Sequence, residues 1–220
     1  QVWTEALPLG NGRLGAMVFG NPGVEHIQLN EETIWAGRPN NNANPNALEY
    51  IPKVRQLVFE GKYLEAQTLA TEKIMAKTNS GMPYQSFGDL HISFPGHTRY
   101  SDYYRELSLD SARTIVRYKV DGVTYQRETL TSFADQVVMV RLTASQPGKI
   151  TCNANLTTPH QDVMVSTEGE EVTLSGVSSW HEGLKGKVEF QGRMTARSQG
   201  GTQACRDGVL SIEGADEAVI

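Results

Sequence analysis

The chain has 220 residues, 39% of them hydrophobic, enough to bury the core of one large globular domain or two small ones. Its formal net charge of −5, with Lys, Arg, Asp and Glu mixed along the chain, leaves no basic stripe to neutralise phosphates and excludes nucleic acid as a partner. No apolar run approaches the roughly 20 residues that span a bilayer, and no charged leader precedes an apolar segment, so neither a membrane span nor a signal peptide is read.

The chain opens on Gln1-Val2-Trp3 without Met and closes on Glu217 to Ile220, which reads as the start of a strand; both ends predict a piece of a longer protein. Near the start, "LPLGNGRLGAMVFG" carries Gly10, Gly12, Gly15 and Gly20, which suit a segment that turns, bulges or lets another backbone approach. A phosphate loop is excluded here, because no strand precedes the glycines, no helix follows them and no Lys-Ser/Thr pair closes the motif. "RLGAMVFG" and "GVEHIQLN" flank Asn21-Pro22-Gly23 and predict a hairpin.

After the Asn/Pro-rich loop "GRPNNNANPNA", helical periodicity runs over about 52–77. Pro52 is expected in a first helical turn, where its missing N–H costs nothing. Val54, Leu57 and Val58 form one stripe, Gly61 ends it, and Leu64, Ala66, Leu69, Ala70 and Ile74 resume it. Two tandem helices are expected to lay this stripe on a face or edge of a sheet. From about 88 to 220 the period changes to two, in segments such as "DLHISF", "TIVRYKV", "KITCNANLT" and "EVTLSG". Thr114, Val116, Tyr118 and Val120 share one face, as do Ile150, Cys152, Ala154 and Leu156, and Asp121-Gly122 and Asp207-Gly208 are hairpin dipeptides. So many antiparallel strands exceed what one open sheet carries, and the absence of helices between them excludes a parallel fold. The expected fold is mainly β: a large antiparallel, supersandwich-like β-sandwich with two inserted α-helices.

No chemical constellation is legible. Glu31 and Glu32 adjoin, but successive strand residues point to opposite faces and do not cooperate as acid and base. His26, His91, His97, His160 and His181 show no ligand spacing, Cys152 and Cys205 form no CxxC, and no nucleophile elbow occurs, so neither a metal nor a cofactor is expected. The two cysteines are either two buried thiols or one long-range disulfide.

In chain order, "WTEALPLGNGRLGAMVFG", "EHIQLNEETIWAGRP", "IPKVRQLVFEGKYLEAQ", "FGDLHISF", "YRELSLDSA", "VTYQRETLTS" and "HEGLKGKVEFQGRM" resemble the N-terminal region of bacterial family 95 glycoside hydrolases, the inverting α-L-fucosidases. The resemblance covers nearly the whole chain and implies that 1–220 is the N-terminal β-sandwich domain of a larger enzyme. In that family a helical linker, an (α/α)6 barrel and a small β domain follow, and the barrel supplies the general acid and the water-activating residues. No catalytic residue is therefore expected in this chain, whose partners would be its own C-terminal catalytic domain and an oligosaccharide substrate. Arg13, Asn30, Glu31, Trp35 and Arg38, rigid polar and aromatic groups beside an irregular loop, are the residues expected to face the barrel or its pocket. Trp180, His181 and Glu182, in the loop signal "SSWHEGLKG", suggest a rival reading as a carbohydrate-binding module, with Trp180 either a sugar platform or a cap on the sandwich. A purely structural domain without a ligand is the third reading. The resemblance also implies a periplasmic or secreted protein.

Overall fold

A computed structural model describes residues 2–76 and 81–220; Lys77, the expected end of the helical segment, lies outside them. After a single 3-10 turn, strands β1 (Leu7–Gly10), β2 (Leu14–Val18) and β3 (Val24–Glu31) form an antiparallel meander. Helices α1 (Ala47–Phe59) and α2 (Tyr63–Lys73) follow. Next come β4 (Gly88–Ser93), β5 (Ser101–Ser108), β6 (Arg113–Val120), β7 (Val123–Ser132), β8 (Val137–Ala144) and β9 (Ile150–Thr157). The last strands are β10 (Val163–Glu168), β11 (Glu171–Val177), β12 (Glu189–Met194), β13 (Arg197–Gln199), β14 (Thr202–Arg206), β15 (Val209–Ala215) and β16 (Glu217–Val219).

These strands form a seven-stranded sheet ordered β1-β2-β3-β4-β9-β15-β14, a six-stranded sheet ordered β13-β16-β8-β7-β6-β5 and a three-stranded sheet ordered β10-β11-β12. The two larger sheets share one continuous core. Val18, Ile27, Ile92, Cys152, Ala154 and Ile212 come from the first sheet; Val116, Tyr118, Val140, Leu142 and Ala218 come from the second. Period-two alternation dictates this, since each strand sends every other side chain inward. The expected faces of Thr114 to Val120 and of Ile150 to Leu156 are the buried ones. Asp121-Gly122 and Asp207-Gly208 turn with positive φ at both residues, as a two-residue hairpin loop requires.

The glycine-rich opening is two strands with a turn between them, as its glycines suggest. Asn11-Gly12-Arg13 turns β1 back along β2: the Asn11 Oδ1 accepts the N–H groups of Arg13 (3.0 Å) and Leu14 (2.7 Å), and Gly12 adopts φ +92°. At Gly20, φ is +81° and a Cβ would lie 2.6 Å from the Arg105 side chain, so only glycine fits.

Beside this turn the two large sheets are tied by a buried pair. Arg127 of β7 and Glu25 of β3 approach to 3.5 Å with side chains each 2% exposed. Arg127 donates to the Asn21 carbonyl (2.8 Å) and stands 4.9 Å and 5.2 Å from the ring centres of Phe94 and Tyr118. Glu25 accepts the N–H of Gly20 at 2.6 Å. Burial raises the Glu25 carboxyl above the usual carboxylate range despite Arg127 and these N–H donors.

The helices depart from expectation in two ways. Helix α1 starts at Ala47, so Pro52 lies inside it rather than in its first turn, and the bond its N–H would have made is missing. The helices pack mainly on one another rather than on a sheet, and Leu57 and Ala66 are their buried side chains. Val54 and Leu69 are half-buried, but Val58 (43% exposed) and Leu64 (78%) are not packed, and Leu48, Phe59 and Tyr63 are exposed beside them. The apolar stripe is wider than one helix partner covers.

Candidate functional site

The sequence-predicted residues lie on a rim of loops where β3 leaves the seven-stranded sheet. The register that pairs Leu14 with Glu31 brings Arg13 beside Glu31, and Arg13 Nε donates to Glu31 Oε1 at 3.0 Å. Glu31 Oε2 accepts the Thr33 N–H (2.8 Å) and hydroxyl (2.6 Å). Partial burial opposes ionisation of Glu31, yet the Thr33 and Arg13 hydrogen bonds outweigh it and hold the carboxyl below the usual range. Tyr84 donates to the Glu31 carbonyl at 3.1 Å and lies 3.4 Å from Asn30 Oδ1. Glu32 is exposed; its carbonyl accepts Trp35 Nε1–H at 3.0 Å, and partial burial together with the charges of Glu31 and Glu32 pushes the Tyr84 hydroxyl above its usual range.

Buried Ile34 anchors the loop that presents Trp35. Trp35 pairs by its backbone with Tyr84, their rings packing edge to face at 5.6 Å, and it remains 46% exposed. Gly37 then binds a second loop, donating to the Ser179 carbonyl and accepting from Lys187 N–H, both at 2.9 Å. This brings the Trp180 loop beside the Trp35 loop. Ser179 is locked from below: its N–H donates to Gln85, and its hydroxyl meets Nδ1 of buried His160 at 3.0 Å. The other His160 nitrogen faces the Ser86 carbonyl at 2.9 Å, so in the neutral ring Nε2 carries the proton and the Ser179 hydroxyl donates to Nδ1.

Trp180 is 62% exposed, so it does not cap the sandwich. His181 and Leu184 close a tight turn with Glu182 and Gly183 at positive φ, and His181 and Glu182 are only loosely paired at 3.9 Å. Arg38 is exposed on the same loop as Trp35. The structure thus joins Arg13, Asn30, Glu31 and Trp35 with Tyr84, which sequence reasoning missed, and sets the Trp180 loop alongside. A shallow depression of about 790 Å³ lies on the three-stranded sheet, lined by residues including Met164, Ser175, Phe190 and Gln191.

A family model described as "Glycosyl hydrolase family 65, N-terminal domain" matches residues 1–220. The chain belongs to this family. Its relatives include the protein named Alpha-L-fucosidase 2 of Arabidopsis thaliana, 41% identical over 67% of this chain and 18% of that protein. Two proteins named Probable alpha-fucosidase A are also similar: that of Aspergillus niger at 31% identity over 79% of this chain and 22% of the relative, and that of Aspergillus oryzae at 28% over 64% and 20%. The chain spans about a fifth of the length of these relatives.

Elsewhere in this glycosyl hydrolase N-terminal domain, the structure groups two of the histidines and decides between the two readings of the cysteines. Spacing along the chain gave no metal-ligand set; the strand register pairs His26 with His91 across β3 and β4, and Asp89 lies two residues before His91 on the same face. Ligand atoms of the three lie within 4.8 Å of one another. Cys152 and Cys205 are free thiols rather than a disulfide, Cys152 buried and Cys205 half-buried. Burial pushes the Cys152 thiol up to about 12, which makes it unreactive.

Proposed function

We propose that the chain is the non-catalytic N-terminal domain of an α-L-fucosidase-like glycoside hydrolase of family 95. It packs against and supports a catalytic (α/α)6 barrel, and the whole enzyme hydrolyses α-L-fucosidic or related α-L-galactosidic linkages in oligosaccharides with inversion, in a periplasmic or secreted setting. The observation that carries the docking role is the apolar face left open on the helical hairpin, where Phe59 is 85%, Leu48 80%, Leu64 78% and Tyr63 69% exposed. Monomer surfaces seldom leave so many large apolar groups uncovered, and the chain spans only about a fifth of its fucosidase relatives, so the rest of such a protein is long enough to hold a partner.

The carboxylates support the non-catalytic part. An inverting glycosidase needs an accessible acid with a raised pKa and a second carboxylate or equivalent base across one sugar. Glu31 is accessible but has a lowered pKa, and Glu25 has a raised pKa but is sealed between the sheets. Neither combines the two properties. The test is hydrolysis of an aryl α-L-fucoside by the purified chain: no turnover is expected, and turnover that co-purifies with the chain through a further column overturns the reading.

A carbohydrate-binding module is the second reading, favoured by the exposure of Trp180 and Trp35 on loops joined through Gly37 and Ser179. Titration with a fucosylated oligosaccharide separates the two. Saturable binding that Trp180→Ala abolishes supports the module, and heat-silent titration supports docking alone.

A further inference from the structure

We propose that His26, Asp89 and His91 form a binding site for one divalent transition-metal ion of zinc-like preference on the outer face of the seven-stranded sheet. The three side chains come from the adjacent strands β3 and β4, on the face opposite the core that Ile27, Leu90 and Ile92 enter. This places them away from the loop rim, on rigid sheet rather than on loops, where ligand geometry is held best.

The donor set decides the class of ion. Two imidazoles and one carboxylate suit zinc, cobalt, nickel or copper, whereas calcium and magnesium require a shell of oxygens. Three protein ligands leave at least one position to water, in keeping with His26 and Asp89 side chains 25% and 23% exposed.

The ligands are also pre-positioned. The His26 ring is held between Phe19, parallel to it at 4.5 Å, and His91, at 4.9 Å and 17°. Its Nε2 already points at Asp89 Oδ1, 2.6 Å away. The ring nitrogens of His91 have no hydrogen-bond partner among the described residues, although the ring is half-buried beside that pair. Gln28, opposite Asp89, does not compete, because its Oε1 accepts the Trp3 Nε1–H at 2.9 Å. Ligand atoms on a tetrahedral ion with bonds of about 2.0–2.1 Å stand roughly 3.3 Å apart. The set, now within 4.8 Å, therefore closes by side-chain rotation without moving the strands. The ion takes the place of the proton on His26 Nε2, which the neutral ring then carries on Nδ1.

The test uses the metal-stripped chain and zinc chloride in competition with a chromophoric chelator. One equivalent of zinc is expected to bind per chain, undisturbed by excess magnesium or calcium, and to raise the melting temperature. His91→Gln and Asp89→Asn should each weaken binding by about tenfold or more, while His181→Gln, on the distant turn, should not. Circular dichroism reports whether each variant is folded. Independently of any variant, substoichiometric copper(II) should broaden the ring-proton NMR signals of His26 and His91 before those of His97, His160 and His181. Absence of saturable zinc binding, undiminished binding in both ligand variants, or first broadening at another histidine each overturns the site.

Discussion

The strand array and the helix-and-loop layer beside it were built from equally clear apolar patterns, yet they end in opposite states. In the two large sheets the core-facing residues find partners: Val116, Tyr118, Val140, Ile92 and Ala154 are all nearly fully buried, and even the charges of Arg127 and Glu25 are enclosed, while the edge strand β10 leaves Val163, Met164 and Val165 exposed. In the helical hairpin only Leu57 and Ala66 are buried, while Phe59, Leu64 and Leu48 face outward. The difference teaches that a period states which side of an element is apolar, not what covers it. A strand inside these sheets has neighbours on both edges and a facing sheet within the same chain; each helix of the hairpin packs on the other, and the rest of its apolar side chains stay exposed.

The sharpest way to break this contrast is at the enclosed pair. Arg127→Met leaves Glu25 buried without its counter-charge and should destabilise the chain by about 3–5 kcal/mol, as loss of one member of a buried ion pair does, measured by urea unfolding at neutral pH. Replacing both partners, Arg127→Met with Glu25→Gln, should recover part of that loss. The pH dependence has a definite sign. Glu25 has a raised folded-state pKa, so the folded state takes up the proton first, and its unfavourable contribution grows as pH rises from the unfolded carboxyl pKa through the folded one. Arg127→Met should steepen that loss, and a variant that is equally stable at acid and neutral pH would show that Glu25 is not enclosed.

The next contrast lies within the hairpin. Leu57→Ala should cost roughly 2 kcal/mol or somewhat more, the low end for a buried leucine, whereas Leu64→Ala should stay within about 0.5 kcal/mol, as exposed substitutions do. Thermal melts of the two variants side by side measure it. Equal and large effects would mean that Leu64 is covered within the chain and that the open face does not exist.

How much of this was legible follows the same line. The faces of β6 and β9 and the turns at Asp121-Gly122 and Asp207-Gly208 could be read because alternation and positive-φ residues act within a few positions of one another. That Leu7 to Gly20 turns was legible from its glycines, but the position of the turn was not, because Asn11-Gly12-Arg13 is held by a side-chain carbonyl rather than by a hairpin dipeptide. The early start of α1 was hidden because Pro52 has the features of a helix start. Of the rim, Arg13, Asn30, Glu31 and Trp35 were picked out by residue type, but Tyr84 and the link from Gly37 to Ser179 belong to distant segments. His26 and Asp89 are 63 positions apart, so only the register of β3 against β4 shows them as neighbours.

A smaller effect tests the link between the edge hairpin and the opposite sheet. Asn11 holds its own turn and also donates from Nδ2 to the Ser132 carbonyl of β7 at 2.7 Å. Asn11→Ala should cost about 1–2 kcal/mol, since the bond to Ser132 contributes about 1 kcal/mol net and the two turn bonds, partly replaced by water in the variant, contribute less. Hydrogen exchange should then quicken in β1 and β2 before the central strands, and uniform protection in the variant would place the loss elsewhere.

The smallest expected effect belongs to the rim, where charges are open to water. Glu31 has a lowered folded-state pKa, so its contribution to stability is present above the unfolded carboxyl pKa of about 4.3 and is lost as pH falls through the lower folded value. Arg13→Ala removes one of the groups that lower it, since Arg13 Nε binds Glu31 Oε1 at 3.0 Å, but leaves the two Thr33 donors in place. The Glu31 titration should move upward without reaching the ordinary value, and neutral-pH stability should change by no more than about 1 kcal/mol, because a pair this open to solvent is screened. Carboxyl chemical shifts followed through an NMR pH titration read the first effect, and urea melts at neutral and acid pH read the second. Thr33→Val, which removes only the hydroxyl donor, should shift the titration in the same direction. If neither substitution moves it, Glu31 is not held by Arg13 and Thr33, and the rim is a looser arrangement than the sheets that carry it.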